Sequence, residues 1–120
     1  VHVRGGVIVG PGRAFFERAL ARMEKERSGL RYLVFTNDRE AAKEALEGEY
    51  TERKMTYISE LGAFSDIDEF FLMAACRHQI ISNSSYSTWA AYLNPNPEKV
   101  VIMPEYKGCE QIRLKEWIVL

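Results

Sequence analysis

The stretch that most constrains the fold is Ser65 to Leu93, SDIDEFFLMAACRHQIISNSSYSTWAAYL. From Ile67 to Arg77 the apolar residues Ile67, Phe70, Phe71, Ala74 and Ala75 recur at three- and four-residue steps, which predicts an amphipathic helix. Asp66, Asp68 and Glu69 fall in its first turn and Arg77 and His78 in its last, the distribution that suits a helix dipole. A short apolar strand at Gln79 to Ile81 then runs into a hydroxyl-rich turn, Ser82 to Thr88. A second helix is expected over Ser87 to Leu93.

Strand, polar turn and helix start form the place where α/β proteins hold anions. The first N–H groups of a helix have no partner inside it and carry the positive end of its dipole, and neighbouring hydroxyls can cap the helix or donate to a ligand. An ordinary N-cap with spare serines satisfies the same pattern.

The rest of the chain repeats the alternation. Val1 to Arg4 is extended and halted by Gly5-Gly6; Val7-Ile8-Val9 leads into the turn signal Gly10-Pro11-Gly12. Phe16, Ala19, Leu20 and Met23 mark one face of a helix over Phe15 to Arg27, ended by Ser28-Gly29. Tyr32 to Phe35 reads as a strand buried on both faces, Thr36-Asn37-Asp38 as the cap of a helix over Arg39 to Leu46 with Gly48 as its stop, and Met55 to Ile58 as another strand. Val100 to Met103 gives a further strand closed by Pro104, and Glu116 to Leu120 an optional edge strand. The expected architecture is one domain over residues 1–120: a three-layer, Rossmann-like parallel sheet of about five strands with helices on both faces. Ligands of such sheets bind beyond the carboxyl ends of the strands, where His2 and Arg4, Thr36 to Asp38, and Asn83 to Thr88 lie.

Composition excludes several classes. With 47% hydrophobic and 28% charged residues, 120 residues suffice for one core, and the net charge of −1 offers no footprint for nucleic acid. No apolar run is long enough for membrane insertion, so a soluble protein is expected, cytoplasmic if its source is bacterial. Cys76 and Cys109 lack metal-ligand spacing, and no metal or cofactor is expected. The chain opens at Val1 with neither methionine nor leader, which predicts a fragment.

The run DEFFLMAACRHQIISNSSYSTWAAYLNPNPEKVVIMP resembles the C-terminal signature of the glycosyltransferase family 11 α-1,2-fucosyltransferases. Leu72, Met73, Cys76, His78, Asn83, Ser84, Ser85, Ser87, Trp89, Ala91, Leu93, Asn94, Lys99, Val101, Ile102 and Pro104 fall on that pattern, with Tyr86 at a Phe position. Val1 to Arg4 is similar to the start of the family's H-x-R-R-G-D motif. The resemblance implies the C-terminal half of a two-domain GT-B fold that binds GDP-fucose or GDP. It places His2 and Arg4 by the diphosphate, Asp38 by the guanosine, and Asn83, Ser84, Ser85 and Ser87 in the phosphate turn. Asp38 reads equally as a helix cap, His78 as a satisfied histidine at a helix end, and Trp89 and Tyr86 as core. Gly5-Gly6 stands where the family has a second arginine and then Gly-Asp, and the acceptor half is absent, so no transfer is expected of the isolated chain.

A second resemblance is confined to Gly10, Pro11, Gly12, Arg13, Ala14 and Phe15, which are similar to the crown of the third variable loop of the human immunodeficiency virus envelope glycoprotein. It implies an alternative: an engineered scaffold that displays these residues at a protruding turn to an antibody.

Overall fold

Tyr32–Thr36 forms β2, the longest strand, and its side chains alternate between two cores. Tyr32 and Val34 pack with α1 (Arg13–Glu26) and α2 (Arg39–Leu46) on one face. Phe35 packs on the other with Met73 of α3 (Asp66–Ala75) and Ala90 of α4 (Ser85–Leu93). The computed structural model that gives this arrangement describes residues 1–5, 10–47 and 52–120. Val7 to Val9, Gly6 and Gly48 therefore lie outside the described residues.

β1 (His2–Val3) and β3 (Met55–Tyr57) flank β2, both parallel to it. β5 (Val101–Met103) is likewise central between β4 (Gln79–Ile80) and β6 (Ile118–Val119), again in parallel. Among the described residues the expected single sheet of about five strands is replaced by two three-stranded sheets, in the orders β1-β2-β3 and β4-β5-β6. The physical reason is the shortness of the strands where the halves meet. β1 and β4 have two residues each, and the bond between their ends runs from side chain to side chain, Ser82 Oγ to His2 Nδ1, at 2.8 Å. Apolar packing nevertheless spans the two, since Ile80 and Ile102 share a core with Val3, Phe16, Leu20 and Val34. A 3-10 helix at Ile58–Leu61 follows β3, and α5 (Cys109–Ile112) lies beside Trp117.

Several boundaries move for identifiable reasons. α3 stops at Ala75, leaving Arg77 and His78 beyond it, because Gln79 Nε2 donates to Met73 O and Cys76 O and so satisfies the helix end expected to fall to the basic pair. α4 begins at Ser85 instead of Ser87, since the Ser84 hydroxyl accepts from Tyr86 N and acts as its cap. Gly12 is the N-cap of α1, and Arg13, Ala14 and Phe15 form its first turn. Phe15 and Phe16 are both buried against each other and the core, while Arg13 donates to Glu47 O. Of Gly10 to Phe15, expected at a protruding turn, Gly12, Arg13 and Ala14 are exposed, while Phe15 is buried as the helix begins. Trp89, expected in the core, is 58% exposed, and Tyr86 is half-buried, its hydroxyl donating to Asp66 O.

Candidate functional site

β1, β2 and β4 all deliver polar residues at their carboxyl ends. After β1 come Arg4 and Gly5, after β2 Asn37 and Asp38, and after β4 Ser82, Asn83 and Ser84. The first two loops are clasped: Gly5 N donates to Asn37 Oδ1 at 2.8 Å, and Asn37 Nδ2 donates to Gly5 O at 3.2 Å. The approach is so close that a Cβ on residue 5 would lie 2.4 Å from Asp38 Cβ, so only glycine fits. The second family arginine has no room here.

Asp38 is a cap. Its Oδ1 accepts from Ala41 N, and Thr36 Oγ1 both accepts from Asp38 N and donates to Asp38 O. Thr36 N in turn donates to Ser59 Oγ, whose hydroxyl donates to Glu69 Oε1 at 2.6 Å, tying β2 to α3.

The serine turn divides into inward and outward members. Ser87 is fully buried; its hydroxyl donates to Ser84 O and accepts from Ser82 N. Ser84 is buried and caps α4, while Ser85 is exposed at the helix start. Ser82, the first residue of the hydroxyl-rich turn, holds His2. With the Ser87 proton committed to Ser84 O, the Ser82 hydroxyl donates to His2 Nδ1 at 2.8 Å in preference to the 3.5 Å contact with Ser87 Oγ. The imidazole therefore carries its own proton on Nε2, a tautomer inferred from this chain of bonds. Burial, then the terminal amino group, then Arg4 depress the His2 pKa from 6.5 to about 3, so the ring is neutral. Nothing in the sequence links positions 2 and 82; only the fold does.

Arg4 completes the group. Its charge is close enough to depress His2, and its Nε is buried with no hydrogen-bond partner among the described residues. A buried guanidinium nitrogen that lacks an acceptor is costly, and an anion relieves it. The structure thus brings together His2, Arg4 and the Ser82–Ser85 turn, sets Asp38 beside Gly5, and turns Ser87 inward. His78 lies elsewhere: its Nδ1 accepts from Val100 N, and its pKa is lowered by burial and by Arg27 and Arg77.

A cleft of about 900 Å³ lies at the opposite, amino ends of the strands and is lined by Glu24, Arg27, Arg31, Tyr32 and Arg53. Its central charges serve the fold, because Arg53 grips Glu24 with two bonds of 2.6 and 2.9 Å and Tyr32 donates to the same carboxylate. Among the described residues no group of three His, Cys, Asp or Glu could hold a metal ion, and no helix is long and apolar enough to cross a membrane.

The chain is a parallel α/β protein whose strand ends carry an arginine, a neutral histidine and a capped helix start. Residues 4–120 match Glycosyl transferase family 11, and the chain belongs to that family. It is 32% identical over 92 residues to the O-antigen biosynthesis glycosyltransferase WbnK of Escherichia coli. That match covers 75% of this chain and 29% of the relative, so the chain spans less than a third of its length. No solved structure matches the chain significantly.

Proposed function

We propose that this chain is the nucleotide-sugar-binding part of an α-1,2-fucosyltransferase-like glycosyltransferase and that it holds GDP-fucose by its diphosphate. The observation that carries the reading is Arg4, whose Nε is buried with no acceptor among the described residues, beside neutral His2. The strand orders β3-β2-β1 and β4-β5-β6 support it, because set side by side across the His2–Ser82 bond they read 3-2-1-4-5-6, the doubly wound order of a Rossmann-like half of a GT-B protein. In that order β1 and β4 meet at the switch point, where a dinucleotide-type ligand sits.

Arg4 takes a phosphate oxygen as a charge-assisted donor and stabilises the charge that develops on the departing diphosphate. His2 Nε2–H donates to a second oxygen without adding charge. The free first-turn N–H groups of α4 and the Ser85 hydroxyl face the same ligand, while Ser84, Ser87 and Asp38 hold the loops in place. The Gly5 site lacks the second guanidinium. We therefore expect GDP to bind weakly to the isolated chain, and fucosyl transfer to a β-galactoside to be absent because nothing aligns an acceptor hydroxyl.

Titration calorimetry with GDP tests this. Arg4→Ala should weaken binding by about 1.5–3 kcal/mol. Absence of binding heat at millimolar GDP, or equal affinity in the variant, would overturn the assignment.

A further inference from the structure

The two helical layers present unlike outer surfaces. On α1 the outward residues Glu17, Arg18, Arg22 and Lys25 are exposed and charged. On the opposite layer, α3 exposes Ile67 (69%) and Phe71 (59%), and its neighbour α4 exposes Trp89 (58%) and Leu93 (52%). Each pair is spaced four residues apart, so each forms a stripe along its helix. The helices pack on each other through Phe70 and Tyr86, whose rings lie 5.4 Å apart, and through Ala74 and Ala90, which leaves the two stripes on one face. No Asp, Glu, Lys or Arg occurs from Phe70 to Cys76 or from Gln79 to Pro97. An apolar face of this kind, with its charges confined to the ends of α3, marks an interaction surface.

We propose that this α3–α4 face pairs with a second copy of the chain about a two-fold axis, with the two α3 helices antiparallel across Phe71. Two features select a copy of the chain as the occupant. An isologous contact requires a surface that complements itself, and the uncharged apolar centre of this face meets itself without repulsion. The ends of α3 are also opposite in sign: Asp66 and Asp68 are exposed at its start, and exposed Arg77 follows its end, with no side-chain partner among the described residues for any of the three. Phe71 lies at the midpoint between Asp66 and Arg77. An antiparallel pair centred there sets the acids of each copy against the arginine of the other. Four half-exposed side chains per copy, with their rim, bury roughly 800–1,000 Å² in total, the small end of specific interfaces, so the dimer is weak and reversible.

Sedimentation equilibrium of the 120-residue chain over a rising concentration series tests the pairing. The mass should climb from 13.8 kDa toward twice that value. Phe71→Asp should remain at the monomer mass, with circular dichroism melts confirming that it folds. Arg77→Glu alone and Asp66→Arg/Asp68→Arg alone should each stay monomeric, and an equimolar mixture of the two should regain the dimer mass, because the swapped charges then oppose correctly. A wild-type mass of 13.8 kDa at every concentration overturns the proposal, including the case in which the chain instead sediments with phosphatidylcholine vesicles. So does a dimer that survives Phe71→Asp, or a charge-swapped mixture of folded variants that stays monomeric.

Discussion

Acid should destabilise this chain through two buried groups, the Val1 amino group and the His2 imidazole, and the imidazole can be isolated by substitution. His2 is neutral in the folded protein, its pKa depressed from 6.5 to about 3 by burial first and by neighbouring positive charge second. The unfolded chain accepts the proton at the ordinary value, so the stability that His2 contributes is complete above pH 6.5 and drains away as the pH falls toward 3. Integrated between pH 7.5 and pH 5, the difference amounts to about 2 kcal/mol. Urea unfolding followed by far-ultraviolet circular dichroism at the two pH values measures it. In His2→Gln the side chain still meets the Ser82 hydroxyl but does not titrate, so the variant should lose about 2 kcal/mol less than wild type over the same interval. The Val1 amino group, whose pKa burial lowers to about 6, is present in both proteins and largely cancels in the difference. Equal losses in the two proteins would refute the buried, neutral imidazole and with it the Nε2–H donor placed at the ligand.

Three further outcomes follow from local geometry. Ser84→Ala removes the cap of α4 and should cost about 0.5–2 kcal/mol in urea unfolding; an unchanged midpoint would show that the hydroxyl is not needed. Gly5→Ala forces a methyl group against Asp38 and should cost about 1–3 kcal/mol while also weakening GDP binding, read by melting temperature and calorimetry together. Phe16→Ala empties a fully buried site and should cost about 3–5 kcal/mol, whereas Phe71→Ala, on the exposed face, should stay within about 0.5 kcal/mol of wild-type stability for the monomer, a contrast that thermal melts resolve.

Local patterns were legible in the sequence wherever they are set by local physics. The apolar stretch Tyr32 to Phe35 became β2, Asp38 became the cap of α2, and Phe16, Ala19, Leu20 and Met23 became the buried stripe of α1. What was not legible depends on partners distant in the chain. The end of α3 is set by Gln79 reaching back to Met73 and Cys76, which no dipole argument about Arg77 and His78 anticipates. That α1 starts at Arg13 and buries Phe15 depends on the core that Phe15 meets, which the Gly-Pro-Gly turn signal does not reveal. The short 3-10 helix at Ile58–Leu61 and α5 carry too few residues for a periodicity to register. Trp89 misleads because a large aromatic suggests core, yet its helical position points away from it. At the candidate site the residue types were readable and their division of labour was not: Ser84, Ser85 and Ser87 are equivalent as letters, but only the fold turns one outward.

The clasp between Gly5 and Asn37 makes α2 a reporter for events it does not take part in. Asn37 immediately precedes the residue that caps α2, so whatever steadies the loop bearing Arg4 also steadies the first turn of that helix. On the proposed assignment the coupling is reciprocal: a ligand drawn onto Arg4 should suppress fraying at Ala41 and Ala42, and fraying there should loosen the grip on the ligand by the same free energy. Amide exchange at those two alanines, on a helix that bears no candidate ligand contact past its cap, should therefore register occupancy of the proposed site in the neighbouring loop.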